Sequence, residues 1–185
     1  WRAKKPGKAN WPVTMMTTTD TELATPAGSS SKRRVVLYVA AGIGAAIDLA
    51  AKAWAQQALP GRSIGGGIID LQLAYNPGVA FSLGNSLPSW AVIAFTGLIT
   101  AAVAVAGWRI APRGNRFQVT GLAGVLAGAV ANLIDRTLNG HVTDYLHTGW
   151  WPTFNPADVF IVAGAFIFAI GYLRASPGNS KEKDS

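Results

Sequence analysis

The amino-acid sequence predicts an all-α membrane protein of four transmembrane helices with a small extracytoplasmic β-sheet. Three observations carry this. Half of the 185 residues are hydrophobic and only 14% are charged, against about 25% charged in an ordinary soluble domain. The apolar residues gather into four runs, each near the ~20 residues that cross a bilayer core of about 30 Å as a helix. Between the first two runs lies a stretch whose apolar residues alternate two apart, the period of a strand. The length suits one domain.

Residues 1–31 are polar, rich in Thr, Ser, Pro and Gly and without apolar periodicity, and read as a disordered N-terminal tail. Met15 and Met16 lie inside it, and the fourteen residues before them are set aside from the fold. The helices are expected at about 35–54, 90–108, 117–138 and 157–173, within a domain of residues 32–174. The second run has no charge before Arg109, and Asp135 and Asp158 fall at the ends of the third and fourth. A soluble bundle would need a polar stripe on each helix, which the second and fourth lack. No small-residue cleavage site ends the first run, so it is expected to stay as an anchor. Residues 175–185 form a cytoplasmic C-terminal tail.

Charge placement orients the bundle. Of sixteen Lys/Arg, seven precede residue 35, three lie in Arg109–Arg116 and three follow residue 173. The 56–87 and 140–154 connections carry only Arg62. By the positive-inside rule both termini are cytoplasmic and these two connections extracytoplasmic. The net charge of +7 therefore flanks apolar runs and builds no basic face, which argues against a nucleic-acid partner.

In the first connection Ile69, Leu71, Leu73 and Tyr75 stand two apart, with Gly and Pro punctuating the run, so the sheet is placed at about 60–87. Trp54, Trp90, Trp150 and Trp151 fall near the same interface, as an aromatic belt would. In the third helix Gly124 and Gly128 are four apart, a small-residue packing face. Asn139–Gly140 reads as the turn after that helix.

Ionisable side chains in membrane helices cost roughly 2.5–3.5 kcal/mol each on insertion scales, and here they cluster. Asp48 and Lys52 share a face of the first helix, four residues apart. Asn132, Asp135 and Arg136 sit at the outer end of the third, and Asn155 and Asp158 at the outer start of the fourth. Asp144 lies in the short stretch between those helices. Four aspartates at one membrane face define a candidate site. Two carboxylates within reach of each other cannot both ionise cheaply, so a pair would share one proton. One would then act as base toward water and the other as acid toward a carbonyl. Asp48 has Lys52, and Asp135 has Arg136, as local neutralising partners. Asp144 and Asp158 have no basic neighbour within four positions, which favours them as the pair. The bland alternative for the Asp48–Lys52 and Asp135–Arg136 pairs is structural, and both are assigned structural or site-orienting roles.

The absence of cysteine excludes disulfides, thiolate metal sites and a cysteine nucleophile, and means the chain is not itself a lipoprotein. His141 and His147 flank Asp144, but nothing supplies a third ligand at metal-binding spacing. No metal and no cofactor are expected.

Four blocks in order carry a resemblance. "DLAAK" (Asp48–Lys52), "YNPGVAFS" (Tyr75–Ser82), "NLIDR" (Asn132–Arg136) with "GHVTDY" (Gly140–Tyr145), and "FNPAD" (Phe154–Asp158) resemble the motifs of the prolipoprotein signal peptidase, or signal peptidase II, family. The resemblance implies a four-helix intramembrane aspartic endopeptidase with a periplasmic β-cradle in the bacterial inner membrane. Its partners would be a diacylglyceryl-modified prolipoprotein, cleaved before the lipidated cysteine, and membrane lipids. It also implies inhibition by globomycin-type cyclic peptides, and the chain is expected to be a monomer. By motif position it implies Asp144 and Asp158 as the catalytic dyad. Asn76, Asn132, Arg136 and Asn155 would hold substrate backbone and dyad, and Asp48, Lys52 and Asp135 would stabilise the site. The family usually has Gln and Thr where this chain has Leu49 and Ala51, Phe where it has Tyr145, and a slightly longer stretch between the dyad residues.

Two other classes fit less well. A proton-coupled carrier would also hold buried charges, but near the midplane and in repeated halves. A rhomboid-like serine protease would need a histidine in a membrane helix, and neither His141 nor His147 lies in one of the four apolar runs.

Overall fold

The computed structural model describes residues 1, 28–78 and 88–175. Most of the N-terminal tail, the 79–87 part of the expected sheet and residues 176–185 lie outside the described residues. The elements run α1 (Gly28–Ala58), β1 (Ser63–Ile64), β2 (Asp70–Asn76), α2 (Ser89–Ile110), α3 (Arg116–Asn139), β3 (Val142–His147) and α4 (Pro156–Ala175). All four helices are long and apolar enough to cross a membrane. The chain is an all-α membrane protein with a small antiparallel sheet.

Helix α3 is the central element, packed against α1, α2 and most extensively α4. Its Val119, Leu122, Ala123, Leu126 and Ala127 form the main core with Leu37, Ala41 and Ala111. Helices α2 and α4 instead turn Phe95, Leu98, Val162, Phe166 and Ile170 outward. Lipid chains are as apolar as these side chains, so a membrane bundle gains from close backbone packing rather than from hiding its apolar surface.

Glycine supplies that packing between α3 and α4. A Cβ on Gly121 would stand 2.6 Å from the Gly164 carbonyl oxygen, and one on Gly128 would run into the Ala157 carbonyl oxygen. The small-residue face expected at Gly124 and Gly128 is thus the α3–α4 contact, extended one turn by Gly121. Just beyond Gly128, the buried Ala45, Ala131 and Ala157 bring α1, α3 and α4 together. Helix α3 opens on a capping box between Asn115 and Gln118 and ends at Gly140, whose φ of 76° is left-handed. Asn139–Gly140 is therefore the helix-ending turn that the sequence indicated.

Two elements differ from the sequence reading. Helix α1 begins at Gly28, so the last residues of the expected tail are helical. The stretch holding Asp144 is not a plain connection but strand β3. It pairs antiparallel with β2, and the sheet order is β1-β2-β3. This pairing joins residues about seventy positions apart, and Val142–Thr143 is too short a β-branched run to announce it.

The β2–β3 ladder carries a bulge between Leu71 and Ala74. Leu71 pairs with Leu146, while Ala74 pairs with Asp144 and Asn76 with Val142. Directly paired residues share a face of the sheet, so the extra residue moves Asn76 onto the Asp144 face. Without it the strict alternation would put Tyr75 there. Tyr75 instead stacks edge-on against His141, with ring centroids 4.3 Å apart.

Candidate active site

The site forms where the C-terminal ends of α1 and α3 and the N-terminal end of α4 meet β3. Helix α4 starts with a reciprocal pair of bonds. Asp158 N donates to Asn155 Oδ1 at 3.1 Å, and Asn155 N donates to Asp158 Oδ2 at 3.2 Å. Asn155 thus caps the helix and Pro156 follows it with a preset φ. Asp158 takes the position that Glu or Gln holds in a capping box. The second helical amide, Ala157 N, donates to Asp48 Oδ1 at 2.8 Å. A carboxylate from α1 thereby satisfies an amide at the positive end of α4.

Between Asp144 and Asp158 the chain folds back on itself. Leu146 N and Phe154 N exchange bonds with Phe154 O and Leu146 O at 2.9 and 3.0 Å. This return brings Asn155 beside Asp144, and Asn155 Nδ2 donates to Asp144 Oδ1 at 2.7 Å. From α3, Asn132 Nδ2 donates to Asp158 Oδ1 at 2.9 Å. Asn155 Nδ2 also reaches Asn132 Oδ1 at 3.3 Å, so the two asparagines tie the two carboxylates into one network. Asn76 adds a bond to Asp144 from β2, while its own Oδ1 accepts Gly78 N at 2.9 Å. Gly78 has a φ of 128°, a conformation that suits only glycine.

Below this network lies a buried cation. Lys52 Nζ donates to Asn132 Oδ1 at 2.6 Å and pairs with Asp48 at 2.8 Å and Asp135 at 3.6 Å. Asp135 Oδ2 in turn accepts Thr143 N at 2.7 Å, which pins β3 to α3, and Asn139 Nδ2 donates to Asp135 Oδ1 at 2.7 Å. The local pairing of Asp135 with Arg136 is not what forms. Neighbours on a helix point about 100° apart, and Asp135 faces Lys52 while Arg136 Nη1 reaches Thr96 Oγ1 of α2 at 3.5 Å. Arg136 Nε is buried without a hydrogen-bond partner among the described residues.

All nine residues singled out from the sequence therefore belong to one network or its rim. Three more belong with them. Thr143 is fully buried under Asp135, and its hydroxyl accepts Gln56 Nε2 at 2.6 Å. Asn139 completes the Asp135 shell. Gln56 was discoverable, since Asp48, Lys52 and Gln56 repeat every four residues on one face of α1. Asn139 was discoverable likewise, four residues after Asp135 on α3, whereas Thr143 gave no periodic signal.

Burial pushes the Asp144 carboxyl up to about 6. The Asn155 bond opposes this, the Asp158 charge reinforces it, and the Asn76 bond and Lys52 charge oppose it. Tyr145 is pushed up to about 12, by burial and then by the Asp48 charge. Its ring packs on Ala55 and Leu59, and Leu49 and Ala51, the other residues unlike the usual motif, line neighbouring apolar clusters. From Asp158 an apolar cavity of about 600 Å³ follows α4 past Val162 to Phe166, walled by Trp150, Trp151 and Phe154.

Two aspartates linked through asparagines, at one end of a four-helix membrane bundle and beside a small sheet, make up the candidate site. The family described as signal peptidase (SPase) II matches residues 40–174, and the chain belongs to that family. A lipoprotein signal peptidase of Rhodococcus jostii (strain RHA1) is 35% identical over 156 residues, covering 80% of this chain and 77% of that protein. One from Mycobacterium tuberculosis (strain ATCC 25618 / H37Rv) is 34% identical over 167 residues, covering 82% and 80%. A solved bacterial membrane enzyme, determined by the in meso method at 2.3 Å resolution, aligns with a TM-score of 0.66 at 22% identity. The alignment covers 81% of this chain and 94% of that one, and supports the fold.

Proposed function

We propose that this chain is an aspartic endopeptidase of the bacterial inner membrane that removes the signal peptide from diacylglyceryl-modified prolipoproteins. The observation that carries the reading is the asparagine-linked carboxylate pair, Asp144 and Asp158, joined through Asn155 and Asn132 at 2.7 and 2.9 Å. In the working state the two carboxyls share one proton. The ionised member takes a proton from a water held between them, and the hydroxide attacks the scissile carbonyl carbon. The protonated member donates to the carbonyl oxygen. As the tetrahedral species collapses, the C–N bond breaks and the amino group of the lipidated cysteine leaves with a proton from the dyad. General acid–base assistance of this kind contributes about 10²–10⁴ in rate.

The surrounding groups have defined work in this scheme. Asn155 and Asn132 hold the carboxylates in register, and Lys52 with Asp48 and Asp135 fixes Asn132 from below. Arg136 has a buried donor available for a substrate backbone carbonyl. The apolar cavity beside Asp158 suits an acyl chain of the diacylglyceryl group, which must lie close to the scissile bond. Both termini are cytoplasmic in this reading and the site opens extracytoplasmically, as the Lys/Arg placement requires. The membrane-retained chain acts as a monomer without metal or cofactor.

The test is cleavage of a purified diacylglyceryl-modified prolipoprotein beside the same precursor lacking the lipid. The lipidated precursor is cut before its cysteine and globomycin stops the reaction. Equal cleavage of both precursors, or none of the lipidated one, would refute the substrate class.

A further inference from the structure

Among the described residues, the charged side chains at the end of the bundle away from the aspartates are all cationic. Lys32, Arg33 and Arg34 stand on α1, Arg109 lies in the last turn of α2 and Arg113 just beyond it, Arg116 opens α3, and Arg174 lies in the last turn of α4. Among the described residues the acidic side chains are Asp48, Asp70, Asp135, Asp144 and Asp158, and both ion pairs belong to Lys52. None of these seven cations therefore has a carboxylate partner among the described residues.

Some of them are occupied otherwise. The Arg34 guanidinium lies 4.1 Å from the centroid of the Trp108 ring, and its Nε donates to Trp108 O at 3.0 Å. Lys32, Arg33 and Arg116 line one cavity of about 280 Å³ between α1 and α3, the Arg116 guanidinium also lying 5.0 Å from the centroid of the Phe117 ring. Arg33 Nη1 donates to Gly114 O at 2.7 Å, which sets the guanidinium at the cavity wall and uses one of its five donors. One turn further into each helix the lining becomes apolar, at Val36 and Val119. The cavity is therefore cationic at the bundle end and apolar toward the bilayer core. That polarity matches an anionic amphiphile standing upright in a leaflet, and basic pockets between membrane helices favour such headgroups.

We propose that this cavity binds the headgroup phosphate of an anionic phospholipid, held by Arg33, Lys32 and Arg116, with an acyl chain running down along Val36 and Val119. The site is separate from the peptidase centre and does not depend on catalysis.

The test uses the full chain in detergent, titrated with phosphatidylglycerol or phosphatidylcholine, with retained lipid counted by native mass spectrometry. One phosphatidylglycerol is expected per chain, at roughly tenfold lower concentration than phosphatidylcholine. The Arg33→Gln/Arg116→Gln chain is expected to lose that preference. So is Thr120→Glu, which places a carboxylate on the cavity wall at an exposed position and guards against a folding defect in the double variant. Arg109→Gln/Arg113→Gln removes as much charge outside the cavity and is expected to keep the preference. Equal retention of the two lipids overturns the proposal. So does a preference that survives Thr120→Glu or falls equally in the Arg109/Arg113 control. Displacement of the lipid by equimolar inorganic phosphate also overturns it, since the site would then take a free anion.

Discussion

Asn155 donates its side-chain amide to Asp144 Oδ1 at 2.7 Å while its backbone and side chain cap the helix that carries Asp158. One residue thereby sets the position of both carboxylates. Replacing it with Ala removes the cap and the bridge together. Turnover is expected to fall about 10²-fold, the scale of an ångström-sized misplacement of a catalytic group. The Asn155 bond favours the ionised form of Asp144, so its loss raises that group above its value of about 6. The limb on which kcat/KM declines with rising pH should move to higher pH. A purely structural role would lower the rate and leave the limb in place.

The elevated acid of Asp144 has a cost in stability. Between the ordinary value of 3.8 and about 6 the folded chain holds a proton that the unfolded chain has released. Its contribution is therefore fully present below pH 3.8 and is lost as pH rises through 6. A shift of about two units corresponds to about 3 kcal/mol. Asp144→Asn should raise thermal stability at pH 7 and flatten its pH dependence from 4 to 6, while activity disappears. Calorimetry or thermal unfolding of the two chains in one detergent measures this.

Gly128 controls the approach of α3 and α4 just below the site, because any Cβ there meets the Ala157 carbonyl. Gly128→Val is expected to cost at least about 1–3 kcal/mol as an overpacked contact. It also pushes Asp158 away from Asn132, so the surviving protein should cleave poorly. Gly42→Ala meets nothing within 4 Å and should match the parent in melting temperature and turnover.

The cavity along α4 makes a separable prediction. Val162 lies one turn beyond Asp158 on its wall and is 56% exposed, so a larger side chain there does not burden the core. Val162→Trp should raise KM for the lipidated precursor by about tenfold or more, with kcat nearly unchanged. Michaelis kinetics in mixed micelles provide the readout.

The bundle was legible because hydrocarbon imposes a length and a composition that few sequences meet by accident. The aspartate cluster was legible for the same reason, since charges at helix ends stand out against apolar runs. The Asn155–Asp158 spacing was readable as a motif, and the structure gives its local meaning as a helix cap that also serves the site. Strand β3 was not legible, because its partner lies far away in the chain and its own pattern is too short to reveal a strand. The bulge that turns Asn76 toward Asp144 was hidden too, since alternation alone favours Tyr75 on that face. The Asp135–Arg136 pairing failed because adjacency in sequence places two helical side chains in different directions.

The most direct test of the dyad is cleavage of a diacylglyceryl-modified prolipoprotein by the Asp144→Asn and Asp158→Asn chains, each verified to insert in the membrane. Each substitution should abolish product formation, with losses that do not add in the double variant because the pair acts as one unit. Near-normal turnover by either single variant would contradict the shared-proton mechanism.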